Sequence, residues 1–343
     1  MRAADPHARS HEDAGGAVAA PDVPVDELRA RIRKVLASAG FLDAATEADV
    51  LVAHVLGRSR GDLEYVRLMG RGVPPADADR VERAASIRAR RVPLQRIVGR
   101  APFLGLELAV GPGVFTPRPE TEVLVHAVAD RFASRRGERL DGVDLGSGSG
   151  AVALGIASLL PGARIAAIEA SPAAWPWLRR NVEEHGEGRV TAVFGRVGEV
   201  GPGAGPRRDG ESAAGGAGAR APLDFVVSNP PYIPAANSSL DPEVRLFDPA
   251  SALYGGDDGL DDIRVFADYA AGVLGPGGLV AFEHDDHQGP EARALLEERG
   301  FQGAVTLPDL AGRDRATLAT LPAPEGSSAS AGGDRARLPG ARG

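Results

Sequence analysis

The chain has 343 residues, 43% hydrophobic and 25% charged, with no cysteine and a formal net charge of −8. That length accommodates one large domain and one small one, each with a core. The missing cysteine excludes disulfides, thiolate metal centres and cysteine nucleophiles, and the acidic balance gives no overall attraction to nucleic-acid phosphates.

The first 22 residues carry no apolar segment of the signal-peptide kind, and no apolar run approaches the ~20 residues of a membrane span. The expectation is a soluble, cytoplasmic protein. Lys34 is the only lysine among 39 basic residues. With so much Ala and Gly, this reads as the bias of a GC-rich genome, so any single Arg is weaker evidence of selection.

Along the chain, residues 1–23 are rich in Ala, Gly and Pro without apolar period and read as a disordered tail. Residues 24–92 read as a helical domain. In VDELRARIRKVLASAGF, Leu28, Ile32, Val35 and Leu36 recur at helical spacing, with Gly40 at the C-cap. A second helix over 45–57 carries Ala48, Val50, Leu51, Val55 and Leu56. A third over 75–91 carries Val81 and Ile87. Residues 93–114 are Gly-punctuated and rich in β-formers, as a hairpin linker would be.

Residues 115–321 alternate strand and helix. Strands are expected at 141–145, 164–168, 190–194, 223–227, 278–283, 302–307 and 314–320, with helices at 151–159, 172–184, 260–274 and 289–299. The order predicts an α/β fold: a doubly wound, seven-stranded, mostly parallel sheet whose last strand runs antiparallel. The stretch 201–222, GPGAGPRRDGESAAGGAGARAP, reads as a flexible insertion between two strands, and 322–343 as a second disordered tail.

Three motifs carry chemistry. VDLGSGSG, Val143 to Gly150, is a strand ending in Asp144, then a glycine turn and a helix start. Gly146, Gly148 and Gly150 let the backbone turn sharply and approach a ligand closely. The spacing is neither that of a dinucleotide fingerprint nor that of a P-loop. The next strand, ARIAAIE, ends in Glu169, which suits a ribose diol. The alternative for each motif alone is an ordinary turn or a solvated strand end.

The third motif is SNPPYI, Ser228 to Ile233, directly after the apolar strand LDFVV. Its two prolines stop the strand and hold Asn229 at the C-terminal edge of the sheet. An Asn side-chain oxygen and a fixed carbonyl, that of Pro230, accept both N–H bonds of a planar NH2 group, with Tyr232 as an apolar wall.

Together these motifs resemble class I S-adenosylmethionine-dependent methyltransferases, and within them the PrmC/HemK family of protein-(glutamine-N5) methyltransferases. The resemblance spans roughly 25–321 and includes PLQRIVGRAPFLG, FTPRPETE, DLGSGSG, SNPPYI, EVRLFDPASALYGGDDGL, FEHDDHQG and DLAGRDRATL. SNPPYI alone is shared with adenine-N6 methyltransferases; FTPRPETE and GGDDGL make the match specific.

The resemblance implies S-adenosylmethionine as cofactor, held by Asp144, Gly146, Ser147, Gly148, Ser149, Gly150, Glu169, Val197 and Asn229. It implies Asn229, Pro230 and Tyr232 as catalytic residues. Pro231, Phe103, Arg118 and Glu120 join them at the substrate, and the segment Pro117 to Glu122 lines the pocket mouth. The helical N-terminal domain would recognise the substrate. That substrate would be the glutamine of the Gly-Gly-Gln motif of class I peptide chain release factors, methylated by a monomer with no nucleic acid or membrane partner.

The family usually places an acid after the third strand for the adenine amine. This chain has Arg196 there, so adenine is expected on the backbone near Val197. The alternatives are an adenine-N6 nucleic acid methyltransferase, for which no basic, aromatic-lined region is found, a glutamine methyltransferase of a ribosomal protein, and a catalytically dead cofactor-binding module. No metal is expected: His284 and His287 in EHDDHQ lack zinc-motif spacing, and GGDDGLDD lacks the ligand order of a calcium loop.

Overall fold

The computed structural model describes residues 21–199, 222–237 and 240–323. The expectations for 1–20, 201–221 and 324–343 lie outside the described residues. The chain divides after Ile97 into two compact units. Among the described residues no helix is long and apolar enough to cross a membrane.

The first unit holds β1 (Val23–Pro24), α1 (Val25–Ser38), α2 (Ala44–Val55), α3 (Arg60–Leu68), β2 (Gly72–Val73) and α4 (Pro75–Ala89). The short strands β1 and β2 pair antiparallel. Leu28, Ile32 and Leu36 are fully buried on one stripe of α1. Val35 lies on the margin of that stripe and is 41% exposed, and Ile87 projects from the far side of α4 from Val81; both were expected inside.

Helix α3 was not anticipated because it is short, nine residues, with only Leu63 and Val66 buried. It is set instead by a capping box in which Ser59 Oγ accepts from Asp62 N and the Asp62 carboxylate accepts from Ser59 N. Arg88 of α4 is buried and forms a bidentate pair with Glu47 of α2, at 2.6 and 3.0 Å.

The second unit follows α5 (Leu94–Val98) with the hairpin β3 (Arg100–Phe103) and β4 (Leu106–Ala109), α6 (Glu122–Arg131) and β5 (Leu140–Leu145). Next come α7 (Ala151–Leu159), β6 (Ala163–Glu169), α8 (Trp175–His185), β7 (Val190–Phe194) and β8 (Leu223–Ser228). Then come α9 (Pro242–Phe247), α10 (Asp261–Val273), β9 (Leu274–Glu283), α11 (Gly289–Glu298), β10 (Gln302–Pro308) and β11 (Asp314–Thr320). The hairpin turns on Leu104 and Gly105, both at positive φ. It is anchored on α8, where Asn181 Oδ1 accepts from Ala109 N at 2.7 Å and Asn181 Nδ2 donates to the Ala109 carbonyl. Of the stretch read as a hairpin linker, the residues from Val98 onward belong to the second unit.

The sheet has seven strands in the order β10-β11-β9-β8-β5-β6-β7, with β11 antiparallel to both its neighbours and the rest parallel. This is the expected α/β architecture. Leu124, Val152, Ile156 and Leu178 from α6, α7 and α8 cover one face. Ile263, Phe266, Ala292 and Leu296 from α10 and α11 cover the other. Burial on both faces explains why β6 and β8 carry the apolar runs 165–168 and 225–227. At the centre, Gly142 leaves room for the Phe225 ring, which a Cβ there would meet at 2.1 Å.

After β7 the next strand returns to the middle of the sheet, so β8 lies beside β5. That reversal opens a crevice at the C-terminal ends of these strands.

Candidate active site

The crevice is a cavity of about 710 Å³ lined by the loops after β5, β6, β7 and β8 and by the start of α10. The glycine turn after β5 has Gly146, Gly148 and Gly150 at φ +66°, +56° and +86°. A Cβ at Gly148 would meet no protein atom within 4 Å, so the backbone there faces open cavity. A side chain would enter that space and strain a left-handed residue.

Around this turn the polar groups are organised from the strand ends. Glu169 Oε2 accepts from Gly148 N at 2.7 Å and Oε1 from Ser171 N at 2.6 Å. Ser147 Oγ donates to the Asp144 carbonyl, and the Ser149 carbonyl accepts from Asn181. Asp144 is fully buried: Oδ2 accepts from Ala153 N at 3.3 Å, while Oδ1 has no hydrogen-bond partner among the described residues. Burial pushes the Asp144 carboxyl up to about 7, against the smaller opposing effects of Ser147 and Ala153 N.

Among the described residues, the carboxyl groups of Asp144, Glu169, Glu199 and Asp262 line the cavity with one cation, that of Arg196. Burial, and then Asp261, hold the Asp262 carboxyl above its usual range. Val197, Val265 and Phe266 supply apolar wall. An acidic cavity with an orphaned buried acceptor, a glycine cradle and an apolar end fits a ligand that carries positive charge at one end and a flat ring at the other.

The acceptor side is built by the turn after β8. Ser228 Oγ donates to the Leu145 carbonyl at 2.7 Å and ties the ends of β8 and β5 together. The next residue, Asn229, lines the cavity and donates from Nδ2 to Thr121 Oγ1 at 3.1 Å. Its Oδ1 has no protein partner among the described residues. Pro231 also lines the cavity, whereas Pro230 is buried behind it.

Residues 27–99 match the PrmC N-terminal domain family. Over 287 residues the chain is 40% identical to the release factor glutamine methyltransferase of Streptomyces coelicolor, covering 82% of this chain and 92% of that one. It is 41% identical over 288 residues to the enzyme of that name from Mycolicibacterium smegmatis, covering 83% and 93%. It is 38% identical over 282 residues to that of Bifidobacterium longum, covering 82% and 94%. The chain belongs to the family of release factor glutamine methyltransferases.

Not every residue expected at the site of this family member reaches the cavity. Phe103 is 1% exposed and packs in the core, where its ring would lie 3.0 Å from a Cβ at Gly155 of α7. Its alternating position on β3 points it inward, so it is a core residue. Arg118 is drawn to the buried Asp248 carboxylate at 2.8 Å, and Glu120 lies 3.8 Å from Arg313. Of the segment Pro117 to Glu122, Pro117 and Thr121 line the cavity and Arg118 and Glu120 do not. Tyr232, expected as an apolar wall, turns its hydroxyl away to donate to Glu283 Oε1 at 3.0 Å.

Glu283, at the end of β9, opens the EHDDHQ stretch that the sequence raised only as a metal candidate. It is 2% exposed, and burial pushes its carboxyl up to about 7, opposed by Thr121, Tyr232 and Arg315. Its neighbour His284 is fully buried, with Nε2 against Thr317 Oγ1 at 2.8 Å and Nδ1 against the Asp285 carbonyl at 2.7 Å. Both ring nitrogens are therefore occupied by structural partners. Asp285, Asp286 and His287 offer ligand atoms within 4.8 Å of one another, on the surface.

Proposed function

We propose that the chain transfers the methyl group of S-adenosylmethionine to the side-chain nitrogen (N5) of the glutamine in the Gly-Gly-Gln motif of class I peptide chain release factors. The observation that carries this reading is the state of Asn229: its NH2 is engaged by Thr121, which leaves Oδ1 at the cavity wall as an acceptor for an N–H. The names of the family relatives support the substrate.

The cofactor supplies an already activated methyl electrophile on a cationic sulfur. The residues present fit it. The Gly146–Gly150 turn and the N-terminus of α7 would hold its amino-acid end, with the orphaned Asp144 Oδ1 as acceptor for the ammonium. Glu169 keeps lone pairs for a ribose diol beyond the two backbone N–H groups it already accepts. Val197 and Phe266 would flank the adenine, with Arg196 in the place of the usual acid.

An amide nitrogen is a poor nucleophile because its lone pair is delocalised into the carbonyl. The work of the site is alignment, which contributes up to about 7–11 kcal/mol in favourable cases. Asn229 Oδ1 would accept one N–H bond of the glutamine NH2; the Pro230 carbonyl, expected as the second acceptor, belongs to a residue that does not line the cavity. That bond strengthens as positive charge develops on nitrogen. The product-forming nitrogen is then strongly acidic and loses its proton without a dedicated base. The helical first unit would recognise the release factor.

Mass spectrometry of a purified release factor incubated with the enzyme and S-adenosylmethionine tests this reading. One methyl group on the Gly-Gly-Gln glutamine is expected. Labelling of a factor whose glutamine is replaced by alanine, or labelling of DNA in its place, would overturn it.

A further inference from the structure

One side-chain amide joins the acceptor turn to the loop that leads into the cofactor wall. Gln288, the last residue of EHDDHQ, is 8% exposed and sits at the N-cap of α11. Its backbone is fixed there, since its N–H donates to the Asp285 carbonyl and its carbonyl accepts from Ala292 N. Its side chain reaches two other loops. Nε2 donates to the Tyr232 carbonyl in SNPPYI and to the Asp258 carbonyl in GGDDGL, each at 3.0 Å, and Oε1 accepts from Asp285 N at 2.9 Å. Carbonyls only accept and a backbone N–H only donates, so one orientation of the amide satisfies all three partners.

The two loops also meet directly. Ile233 N donates to the Leu253 carbonyl at 2.8 Å, Gly255 N to the Ile233 carbonyl at 3.0 Å and Ala235 N to the Gly256 carbonyl at 2.8 Å. Gln288 extends this seam one residue closer to Asn229. The approach there is tight: a Cβ at Gly259 would meet the Tyr232 carbonyl at 2.1 Å and Gln288 Nε2 at 2.5 Å. Beyond Gly259 the loop runs into α10, whose Asp262, Val265 and Phe266 line the cavity and whose Ile263 and Phe266 are buried in the core.

We infer that Gln288 is a positioning residue that fixes the acceptor turn against α10, and with it the distance from Asn229 to the cofactor. This rests on the reading of Asn229 as the acceptor for the substrate NH2. Between Asn229 and Tyr232 stand Pro230 and Pro231, whose rings fix φ and stiffen the segment. A displacement of the Tyr232 carbonyl is therefore passed on to Asn229. Without the Gln288 NH2, the Tyr232 and Asp258 carbonyls lose their shared donor, and two partial negative charges are left beside one another. The core anchors α10, so the turn is the side that moves. In-line transfer tolerates little of this, because a misplacement of ~1 Å can cost about a hundredfold in rate.

Kinetics and hydrogen exchange on the full chain test the inference. Gln288→Met keeps the length of the side chain and removes its hydrogen bonds. Gln288→Asn keeps an amide that falls a methylene short of the two carbonyls, and it carries the test if Gln288→Met does not fold. Both should lower kcat by about tenfold or more, with little change in the KM for the release factor or in the calorimetric Kd for S-adenosylmethionine. Hydrogen–deuterium exchange read by mass spectrometry should speed up about tenfold in the peptides that carry Ile233 and Gly255, while β5 and β8 exchange as in wild type.

Wild-type kcat in either folded variant overturns the inference. A Kd for S-adenosylmethionine weakened as much as kcat also overturns it, because the loss then lies in the cofactor wall. Unchanged exchange at Ile233 and Gly255 does the same. If wild-type enzyme leaves the release factor unlabelled, the functional reading falls, and the exchange measurement still decides whether Gln288 holds the turn.

Discussion

Glu169, the last residue of β6, accepts a hydrogen bond at 2.7 Å from the backbone N–H of Gly148, in the turn that follows the neighbouring strand β5. The carboxylate expected to meet a ribose therefore also holds the glycine turn in shape. A change at either residue acts on one ligand surface. Gly148→Val places a branched side chain in the open cavity at a left-handed φ. Calorimetry is expected to show S-adenosylmethionine binding at least about tenfold weaker, with the circular dichroism spectrum of the fold retained. Unchanged affinity would remove the turn from the cofactor site.

Asn229→Ala removes the acceptor and leaves a substrate N–H without a partner, which costs about 1–3 kcal/mol in a buried site. Turnover is expected to fall at least about tenfold while cofactor affinity changes much less. Steady-state kinetics with a release factor, paired with calorimetry, separate the two. Equal losses in both would place Asn229 at the cofactor alone.

Asp144 predicts a pH effect on stability. Its folded carboxyl titrates near 7, against 3.8 for the unfolded group. The folded state therefore holds the proton more tightly, and this group's contribution to stability falls as pH rises from about 4 to about 7. Asp144→Asn cannot ionise. Without cofactor, its melting temperature should rise relative to wild type across that window and gain nothing further above it. A difference in melting temperature that is the same at pH 5 and pH 8 would show that burial does not penalise the charge.

Phe103 separates a core role from a substrate role. Phe103→Ala is expected to cost about 3–5 kcal/mol of stability, read by thermal or denaturant unfolding. At a temperature where the variant stays folded, the KM for the release factor should match wild type. A raised KM in a variant of normal stability would return Phe103 to the substrate.

The sequence by itself determined the features written in short windows. The glycine turn at 146–150, the end of β6 at Glu169 and the stop of β8 before Asn229 need only neighbouring residues and fall where their motifs place them, while β5 runs one residue past the expected end at Asp144. The central strands β6 and β8 were legible because parallel strands buried on both faces carry runs of apolar residues. Helix α6 and the short α9 were missed because neither has a strong apolar stripe, and α3 because it rests on a cap.

Only the tertiary structure decided what those motifs lean on. Asn229 and Thr121 are 108 positions apart, and Tyr232 and Glu283 are 51 apart. No periodicity relates them; they meet because the sheet reverses after β7 and brings β5, β8 and β9 side by side. The same holds for Phe103, which a motif placed at the substrate and the packing of the β3–β4 hairpin placed in the core. A local pattern sets backbone conformation, because the forces involved act between near neighbours. The partner of a buried polar group is set by which distant strand end lies within about 3 Å of it, and only the folded chain fixes that.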